Sequence, residues 1–323
     1  MARIHFQDRD FPVLDGETVL TCLERHGAEV PSSCRSGVCQ SCLLEAVEGD
    51  LPAAAQEGLR DTWKQQGYFL ACACRPTGDL EVRLPGEETT CSPTQVVAKE
   101  ALSEDVLRLR LEVPDGLSYR AGQFVSLVRD DGLVRPYSLA SVPDEDDTLE
   151  LHVRVVPGGS MTTWMRDALT PGTKLSLRGP AGSCFYVPAG LDERLLLAGT
   201  STGVAPLVGI VRDALRRGHR GRIDLYFGSV VRRGLYLLDE LRARFAAHDN
   251  VRVHACVLEG EDDDGVRRAS LESAVLEDTD GFSGARAFLC GHPDLVRALQ
   301  KKLFLAGVSL GRIHADPFLS AAR

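Results

Sequence analysis

The sequence predicts three successive domains, of which the second is an antiparallel β-barrel and the third an α/β fold with a doubly wound parallel sheet. At about 150 residues per domain, a chain of 323 residues suggests two or three such units. Five of the ten cysteines fall between positions 34 and 74, short strands follow, and strands then alternate with helices. We expect the domains at residues 1–88, 94–188 and 189–323.

Composition and charge restrict the function classes. The net charge of −9, from 37 basic and 46 acidic residues, argues against a nucleic-acid partner. The N-terminal residues reach charged positions too early for the apolar core of a signal peptide. The longest uncharged run, residues 195–211, contains Pro206 and three glycines, so no membrane span is expected. These features predict a cytoplasmic protein.

The cysteines of the first domain have the spacing of an iron–sulfur loop. Cys34, Cys39 and Cys42 form a C-x4-C-x2-C pattern, which is the plant-type 2Fe-2S spacing and needs a fourth, more distant cysteine. Thiolates are soft ligands that favour iron–sulfur clusters over hard cations. The alternative is a structural zinc site built from Cys39 and Cys42 with Cys72 and Cys74, which leaves Cys34 without a role.

This motif resembles the plant-type ferredoxins, and specifically the ferredoxin domain at the N-terminus of oxygenase reductases. The resemblance implies a β-grasp fold and a fourth ligand in a Leu-x-Cys-x-x-x-Pro context, which Leu70, Cys72 and Pro76 match. Cys72 and Cys74 lie two residues apart and compete for one site, and Cys74 falls where the family tolerates alanine, so we expect it to be a packing residue. The ligands implied by the resemblance are Cys34, Cys39, Cys42 and Cys72.

The second domain is predicted from short strands separated by glycine and proline. Several such strands within one hundred residues are typical of a small antiparallel barrel. A polar segment at residues 85–93, with a proline at each end, is the candidate linker before it. The strands are expected at residues 106–113, 124–128, 137–140, 149–155 and 174–177.

Two motifs of the barrel resemble the flavin fingerprints of the ferredoxin–NADP reductase superfamily. In Arg135-Pro136-Tyr137-Ser138, the resemblance implies that Arg135 meets the FAD phosphates, Tyr137 packs on the isoalloxazine, and Ser138 bonds the ring nitrogen that accepts hydride. Residues 158–165 open a helix whose N-terminus would hold the pyrophosphate. Each motif alone also fits an ordinary strand end or helix start. The second motif implies FAD-site roles for Gly159, Met161 and Thr162, the last standing where the family usually has serine.

The third domain is predicted from a change of period after residue 189. Buried strands alternate there with amphipathic helices, which implies a parallel, doubly wound sheet. The first helix has apolar residues from 204 to 215 and ends before Gly218. The other elements are strands at residues 195–198, 223–227, 251–257 and 287–290, and helices at residues 235–245 and 294–305.

A glycine-containing loop follows the first of these strands. Small residues between a buried strand and a helix let the backbone approach a pyrophosphate. The loop resembles the superfamily's Gly-Thr-Gly-Thr-Gly-x-Ala-Pro, with Ser201 in place of the central glycine. The resemblance implies a nicotinamide-nucleotide site formed by Gly199, Thr200, Thr202 and Gly203.

Two motifs near the C-terminus complete the resemblance. Cys290-Gly291-His292-Pro293 resembles the family's Cys-Gly-x-Pro, which implies that Cys290 and Gly291 lie near the nicotinamide ring. A buried cysteine is otherwise an inert small hydrophobe. Asp316-Pro317-Phe318 resembles the terminal acidic-x-Phe beside the flavin, although glutamate is commoner there. The catalytic residues implied are Ser138, Cys290 and Asp316, and Phe318 would bind FAD.

The resemblance covers nearly the whole chain and implies an enzyme, an NAD(P)H-dependent iron–sulfur flavoprotein oxidoreductase. Its cofactors would be FAD, a 2Fe-2S cluster and NADH, with NADPH as the alternative donor. The expected acceptor is the oxygenase component of a mono- or dioxygenase. One alternative is a reductase of deoxysugar biosynthesis with the same domain order. Another, from a different class, is a zinc-binding or redox-sensing module without turnover.

The distribution of charge bears on the choice of nicotinamide nucleotide and on the electron acceptor. No acidic residue directly follows the predicted strand 223–227, where Ser229, Arg232 and Arg233 could meet a 2′-phosphate, although the resemblance favours NADH. Residues 1–86 carry eight basic and thirteen acidic side chains, a net charge of −5. We therefore expect an acidic face that steers the first domain to a basic patch on its acceptor.

Overall fold

The computed structural model describes residues 2–59, 63–64, 66–85, 91–188, 190–262, 264–277 and 281–318. Within these residues the strands form one five-stranded and two six-stranded sheets, which follow one another along the chain. The predicted fold class is confirmed, with a small mixed sheet, an antiparallel barrel and a parallel α/β sheet in that order. No described helix has the length and apolar character that crossing a membrane requires.

The first domain is a mixed sheet packed on one helix. The elements are β1 (Arg3–Phe6), β2 (Arg9–Pro12), α1 (Val19–Arg25), β3 (Leu43–Glu48), β4 (Tyr68–Leu70) and β5 (Leu80–Arg83). The strand order is β2-β1-β5-β3-β4, with β1 parallel to β5. Phe6, Leu20 and Phe69 are buried in the core between sheet and helix.

Helix α1 positions the segment that contains Cys72. It begins at a capping box, in which Thr18 and Thr21 each accept a hydrogen bond from the other's backbone N–H. Two N–H groups between these threonines donate to the segment around Cys72. The Val19 N–H donates to the Cys74 carbonyl oxygen at 2.9 Å, and the Leu20 N–H donates to the Ala71 carbonyl oxygen at 3.1 Å. The helix start therefore fixes the backbone on both sides of Cys72.

The second domain is a barrel of six antiparallel strands. They are β6 (Ser92–Ala101), β7 (Val106–Glu112), β8 (Phe124–Val128), β9 (Val134–Ser138), β10 (Thr148–Arg154) and β11 (Lys174–Ala181), with helix α2 (Ser160–Asp167) between β10 and β11. The order is β10-β7-β6-β11-β8-β9, and a bridge between Leu139 and Leu151 joins the two outer strands. Strand β6 was not predicted and begins inside the candidate linker, of which residues 86–90 lie outside the described residues.

The third domain is a six-stranded parallel sheet with helices on both faces. The elements are β12 (Leu195–Thr200), α3 (Val204–Arg216), β13 (Ile223–Ser229), α4 (Leu238–Phe245), β14 (Val251–Val257), β15 (Val266–Arg268), α5 (Leu271–Leu276), β16 (Arg286–Gly291), α6 (Pro293–Leu305) and β17 (Ile313–Pro317). The order is β15-β14-β13-β12-β16-β17. From β12 the chain first adds strands on one side of the sheet and then returns to add β16 and β17 on the other side. The strand order therefore reverses between β12 and β16, the position at which such sheets bind ligands.

Two predicted boundaries are wrong, and the structure gives a cause for each. Helix α4 begins at Leu238 instead of 235 because Arg232–Gly234 form a 3-10 turn before it. Strand β9 lies three residues before the predicted 137–140, where Val134–Ser138 pair with β8 over its whole length. Elements β15, α5 and β17 were not predicted.

Polar contacts and close packing hold the barrel against the third domain. Arg108 on β7 donates to Glu240 at 2.5 Å, and His152 on β10 is bonded to the Tyr236 hydroxyl at 2.9 Å. Gly209 on α3 lies so close to the barrel that a Cβ there would stand 2.8 Å from the Ala140 carbonyl oxygen. These contacts fix the barrel against the third domain.

Candidate active site and iron–sulfur loop

Four cysteine sulfurs in the first domain form two pairs. The N–H groups of Cys34 and Cys39 each donate to the other residue's Sγ, at 3.4 and 3.3 Å. The Cys72 N–H donates to Cys42 Sγ at 3.5 Å, and the Gly37 N–H donates to Cys72 Sγ at 3.2 Å. In the described part of the chain, no three cysteine, histidine or carboxylate side chains gather around a single ion-sized point. Two thiolates per iron is the arrangement that a 2Fe-2S cluster requires.

The loop directs hydrogen-bond donors at its cysteine sulfurs. A hydrogen bond with Cys39 lowers the pKa of Cys34 to about 4 and raises that of Cys39. In the same way, the hydrogen bond between Cys42 and Cys72 lowers the pKa of Cys72 and raises that of Cys42. Backbone N–H donors support the thiolate form, which is the form that binds iron. These residues therefore fit the cluster.

Cys74 has a different environment. Its side chain is fully buried in the apolar core of the first domain, and this burial raises the pKa of the thiol to about 12. The segment is a turn, in which the Cys74 N–H donates to the Leu70 carbonyl at 3.1 Å. This turn directs the Cys74 side chain into the core and away from Cys72.

Three residues that the sequence placed at the hydride-transfer site lie together. Asp316 on β17 is the register partner of Cys290 on β16, which is in turn the partner of Gly199 on β12. The Ser138 hydroxyl, on barrel strand β9, donates to the Asp316 carboxylate at 3.1 Å. The fold therefore brings Ser138, Cys290 and Asp316 to one edge of the parallel sheet, although 178 residues separate Ser138 from Asp316.

The electrostatics of these groups differ. Burial raises the pKa of Asp316 to about 6, and the hydrogen bond from Ser138 only partly opposes the effect. Burial also raises the pKa of Cys290 well above that of a free thiol, with further contributions from Cys184, 3.8 Å away, and from Asp316. Cys290 is therefore a neutral thiol at pH 7, and Asp316 is a carboxyl group that can exchange a proton near neutrality.

The flavin motifs lie on β9 and at the start of α2. Tyr137 is half-buried, and burial raises the pKa of its hydroxyl. Arg135 lies beside it and donates to the Val134 carbonyl at 2.7 Å. Pro136 is directly opposite Ser126 on β8. Burial and neighbouring cations of this kind suit a planar ring with a phosphate tail.

No side chain caps the N-terminus of α2, which leaves its first N–H groups to meet an anion. Gly159 is the N-cap, and Thr162 uses its hydroxyl to accept the Val156 N–H at 3.1 Å. The Met161 side chain is buried in the barrel core, so only its backbone can face a ligand. Sequence reasoning missed Arg129, which donates to both the carbonyl and the hydroxyl of Ser160 at 3.2 Å.

The nucleotide loop is packed tightly against the end of β16. A Cβ on Gly203 would lie 2.5 Å from the Cys290 carbonyl oxygen, so only glycine fits there. Thr202 is buried, and the Thr200 hydroxyl accepts the His292 N–H at 3.4 Å. Ser201 has a φ of 52°, in the left-handed region that favours glycine. The superfamily's glycine at this position therefore has a conformational reason.

Two further features lie at the same edge of the sheet. The Phe318 N–H donates to the Gly291 carbonyl at 2.8 Å, which ties the C-terminal segment to β16. Beyond β14, a cleft of about 280 Å³ is lined by Arg232 and by three carboxylates that the sequence analysis did not connect with the nucleotide. They are Glu259, Glu261 and Asp262.

Comparison with known families and proteins agrees with this architecture. Residues 3–77 match the 2Fe-2S iron-sulfur cluster binding domain, residues 93–186 the oxidoreductase FAD-binding domain, and residues 196–301 the oxidoreductase NAD-binding domain. The chain is 32% identical to the reductase component of the Pseudomonas putida naphthalene 1,2-dioxygenase system, over 96% of each chain. It is 34% identical to the reductase subunit of an Amycolatopsis aromatic O-demethylase, over 95% of each chain.

A solved structure gives the same result. The crystal structure of the Amycolatopsis cytochrome P450 reductase GcoB matches with a TM-score of 0.71 and 32% identity over the whole of both chains. The alternative of a zinc-binding or redox-sensing module without turnover does not account for the FAD-binding and NAD-binding domains and is therefore wrong. The chain belongs to the family of iron–sulfur flavoproteins that act as ferredoxin–NAD(P)+ reductase components of oxygenase systems.

Proposed function

We propose that this reductase takes hydride from NADH and delivers single electrons to an oxygenase component. The observation that carries the proposal is the convergence of Ser138, Cys290 and Asp316 where the barrel meets the reversal point of the parallel sheet. The cysteine loop is bonded to the same barrel. A donor site, a flavin site and a cluster site are therefore adjacent in one chain.

When bound, FAD accepts a hydride from the nicotinamide, and the 2Fe-2S cluster carries its electrons onward one at a time. The balance is one NADH and two oxidised acceptors giving one NAD+, one proton and two reduced acceptors. In this scheme Ser138 bonds the flavin nitrogen that receives the hydride. Asp316 accepts the Ser138 hydroxyl proton in a hydrogen bond and can take up or release the odd proton. Cys290 packs beside the nicotinamide without supplying charge.

The remaining residues bind the cofactors. We propose that Arg135, Pro136 and Tyr137 hold FAD along β9, with Phe318 covering the ring. The pyrophosphate of FAD would meet the uncapped start of α2, through Gly159, Thr162 and the backbone of Met161. The dinucleotide would lie on Gly199, Thr200, Thr202, Gly203 and Gly291.

We propose Cys34, Cys39, Cys42 and Cys72 as the cluster ligands, with Cys34 and Cys39 on one iron and Cys42 and Cys72 on the other. The support is the pairing of the four sulfurs and the N–H groups directed at them. In this proposal residues 1–88 carry the cluster, residues 94–188 carry FAD and residues 189–323 bind the nucleotide.

The preference for NADH is supported by charge at the adenosine end of the site. The Leu258 and Glu259 N–H groups donate to the carbonyls of Ser229 and Val230, so the chain after β14 runs beside the end of β13. This arrangement brings Glu259 and its acidic neighbours to the cleft that Arg232 lines. Arg232 itself is 3.5 Å from Asp264. Carboxylates at this position favour a ribose hydroxyl over a 2′-phosphate.

The oxygenase acceptor is supported by relatives that serve a naphthalene dioxygenase system and an aromatic O-demethylase. The acidic first domain suits a basic docking patch on such a partner. A reductase of deoxysugar biosynthesis would share the same two half-reactions and differ only in its acceptor. We also propose a cytoplasmic location, because none of the ten cysteines, all of them in the described residues, forms a disulfide, as in a reducing compartment.

The test is an anaerobic titration of the purified holoprotein with NADH, followed by visible and EPR spectroscopy. We expect flavin absorbance to bleach first and a reduced-cluster EPR signal to follow, with NADPH much less effective. A protein without flavin bands, or one that NADH leaves oxidised, would contradict the proposal. The acceptor is tested by adding an oxygenase component encoded nearby and measuring NADH-dependent substrate oxidation.

A further inference from the structure

We infer that Ser126 is a positioning residue that docks the cluster loop on the flavin strands, and that electrons enter the cluster at Cys39. The inference rests on the proposed function, since it concerns the route between the two bound cofactors. The contact on which it rests joins two domains, and Ser126 belongs to none of the motifs described above.

The contact is a buried hydrogen bond between the first and second domains. The Ser126 hydroxyl on β8 donates to the Cys39 backbone carbonyl at 2.7 Å, across 87 positions of the sequence. The exposed fraction is 2% for Ser126 and 3% for Cys39. Buried hydroxyl and carbonyl groups of this kind are costly to leave unpaired. The bond therefore fixes the position of the loop on the barrel.

The face of the barrel on which Ser126 lies also carries Ser138 of the proposed flavin site. In the antiparallel pairing of β8 and β9, Ser126 is opposite Pro136 and Phe124 is opposite Ser138. Side chains two residues apart on a strand share a face, so Ser126 and Ser138 point to the same side of the sheet. The Cys39 carbonyl therefore contacts the barrel about 7 Å along the strand from Ser138. No other position in the loop is bonded to this strand pair among the described residues.

The loop has one buried end and one exposed end. Gln40 and Ser41 are 6% and 1% exposed, whereas Val38 is 48% exposed. The Ser41 hydroxyl lies 3.2 Å from Cys39 Sγ, where it can donate to a bound thiolate. Gln40 adopts a φ of 59°, a left-handed conformation that turns the chain at the contact. Electrons would enter at the buried end and leave for the acceptor near Val38.

In each transfer one electron leaves reduced flavin and reduces one ferric iron of the cluster. The acceptor would reoxidise the cluster between two such transfers, which together would return FAD to its oxidised form and release the proton that arrived with the hydride. Ser126 takes no part in this exchange of charge. Its role is to keep Cys39 against the strands that hold the flavin.

The experiment uses holoprotein variants Ser126→Ala and Ser126→Thr, with Ser176→Ala as the matched control. Ser176 is a half-buried serine on the neighbouring strand β11 and lies opposite Val128. Anaerobic stopped-flow mixing with NADH resolves flavin reduction from cluster reduction. Iron content, the midpoint potential of the cluster and hydrogen–deuterium exchange of residues 34–42 are measured on the same samples.

We expect Ser126→Ala to leave flavin reduction unchanged and to slow cluster reduction roughly fivefold. This factor is the change in the ratio of docked to undocked loop that loss of one buried hydrogen bond produces. Residues 34–42 should exchange faster, while iron content and potential stay at the wild-type values. Ser126→Thr, which keeps the hydroxyl, should recover most of the rate. The Ser176→Ala control should behave as wild type.

Unchanged cluster reduction and unchanged exchange in Ser126→Ala would overturn the inference. So would a slowed reduction that is accompanied by lost iron or a shifted potential, because the residue would then support the cluster and not its docking. A wild-type protein whose flavin NADH does not reduce would instead contradict the proposed function, which separates the two failures.

Discussion

The choice between Cys72 and Cys74 as the fourth cluster ligand can be tested by replacing each residue. Cys72 Sγ accepts the Gly37 N–H at 3.2 Å, and the Cys72 N–H donates to Cys42 Sγ. Cys74 Sγ faces the apolar core. We therefore predict that Cys72→Ser loses the 2Fe-2S cluster and that Cys74→Ala retains it.

The expected magnitudes differ because the two side chains do different work. Cys74→Ala removes one buried sulfur, comparable to one methylene, and costs about 1 kcal/mol of unfolding free energy. For a domain of about 80 residues, this lowers the melting temperature by roughly 4–8 °C. Cys72→Ser replaces a soft thiolate by a hard hydroxyl, so iron content should fall from two atoms per chain to nearly none.

The assay is iron analysis with visible and EPR spectra of each purified variant. Flavin reduction by NADH is the internal control, and it should survive in both variants because Ser138 and Asp316 lie in the other two domains. A protein that keeps its cluster as Cys72→Ser and loses it as Cys74→Ala would refute the reasoning. Loss in both variants would show that packing at Cys74 is itself required for assembly.

Four further predictions address charge and backbone conformation. Arg232→Glu should leave NADH turnover nearly unchanged, whereas Glu259→Lys should improve kcat/KM for NADPH roughly tenfold; unchanged NADPH kinetics would exclude the acidic cleft as the determinant. The pKa of Asp316 is raised to about 6, so its ionisation costs stability as pH rises from about 4 to 6. Between pH 4 and 7, the flavin-free protein should lose on the order of 2 kcal/mol of unfolding free energy relative to Asp316→Asn, and parallel denaturation curves for the two proteins would contradict this. Ser201→Gly, which relieves a φ of 52°, should raise the unfolding free energy by up to about 1 kcal/mol; a loss of stability would show that the serine makes a compensating contact. Electron transfer to the acceptor should slow as ionic strength rises and the Debye length shrinks to ~8 Å, and rates independent of salt would remove the electrostatic steering.

The parts of the fold that the sequence predicted are those with a local signal. Residues 251–257 begin with alternating apolar and polar residues, and they form β14 as predicted, with the last three residues of the strand buried. The loop from Gly199 to Gly203 is recognisable because its small residues lie between a buried strand and a helix. Each of these patterns is complete within about fifteen residues.

The parts that the sequence did not predict depend on distant partners. Strand β17 has only five residues and forms because β16 offers it an edge, with Cys290 opposite Asp316. Glu259 reaches the cleft that Arg232 lines through pairing of the segment after β14 with Ser229 and Val230. Arg129 was overlooked because nothing near it in the sequence marks the start of α2, 31 positions away, as its neighbour.

The register of β8 and β9 has a consequence for the coupling of the two half-reactions. Ser138 bonds to Asp316 of the nucleotide-binding domain, and Ser126 bonds to Cys39 of the cluster domain. Both serines lie on one face of the strand pair β8 and β9. Among the described residues, this strand pair is the only one bonded both to Asp316 and to the cysteine loop. A change in the nucleotide-binding domain should alter hydride transfer and spare electron transfer to the cluster, and a change in the cluster domain should do the reverse. A substitution that shifts this strand pair should slow both, since hydride arrival and electron departure depend on the same face.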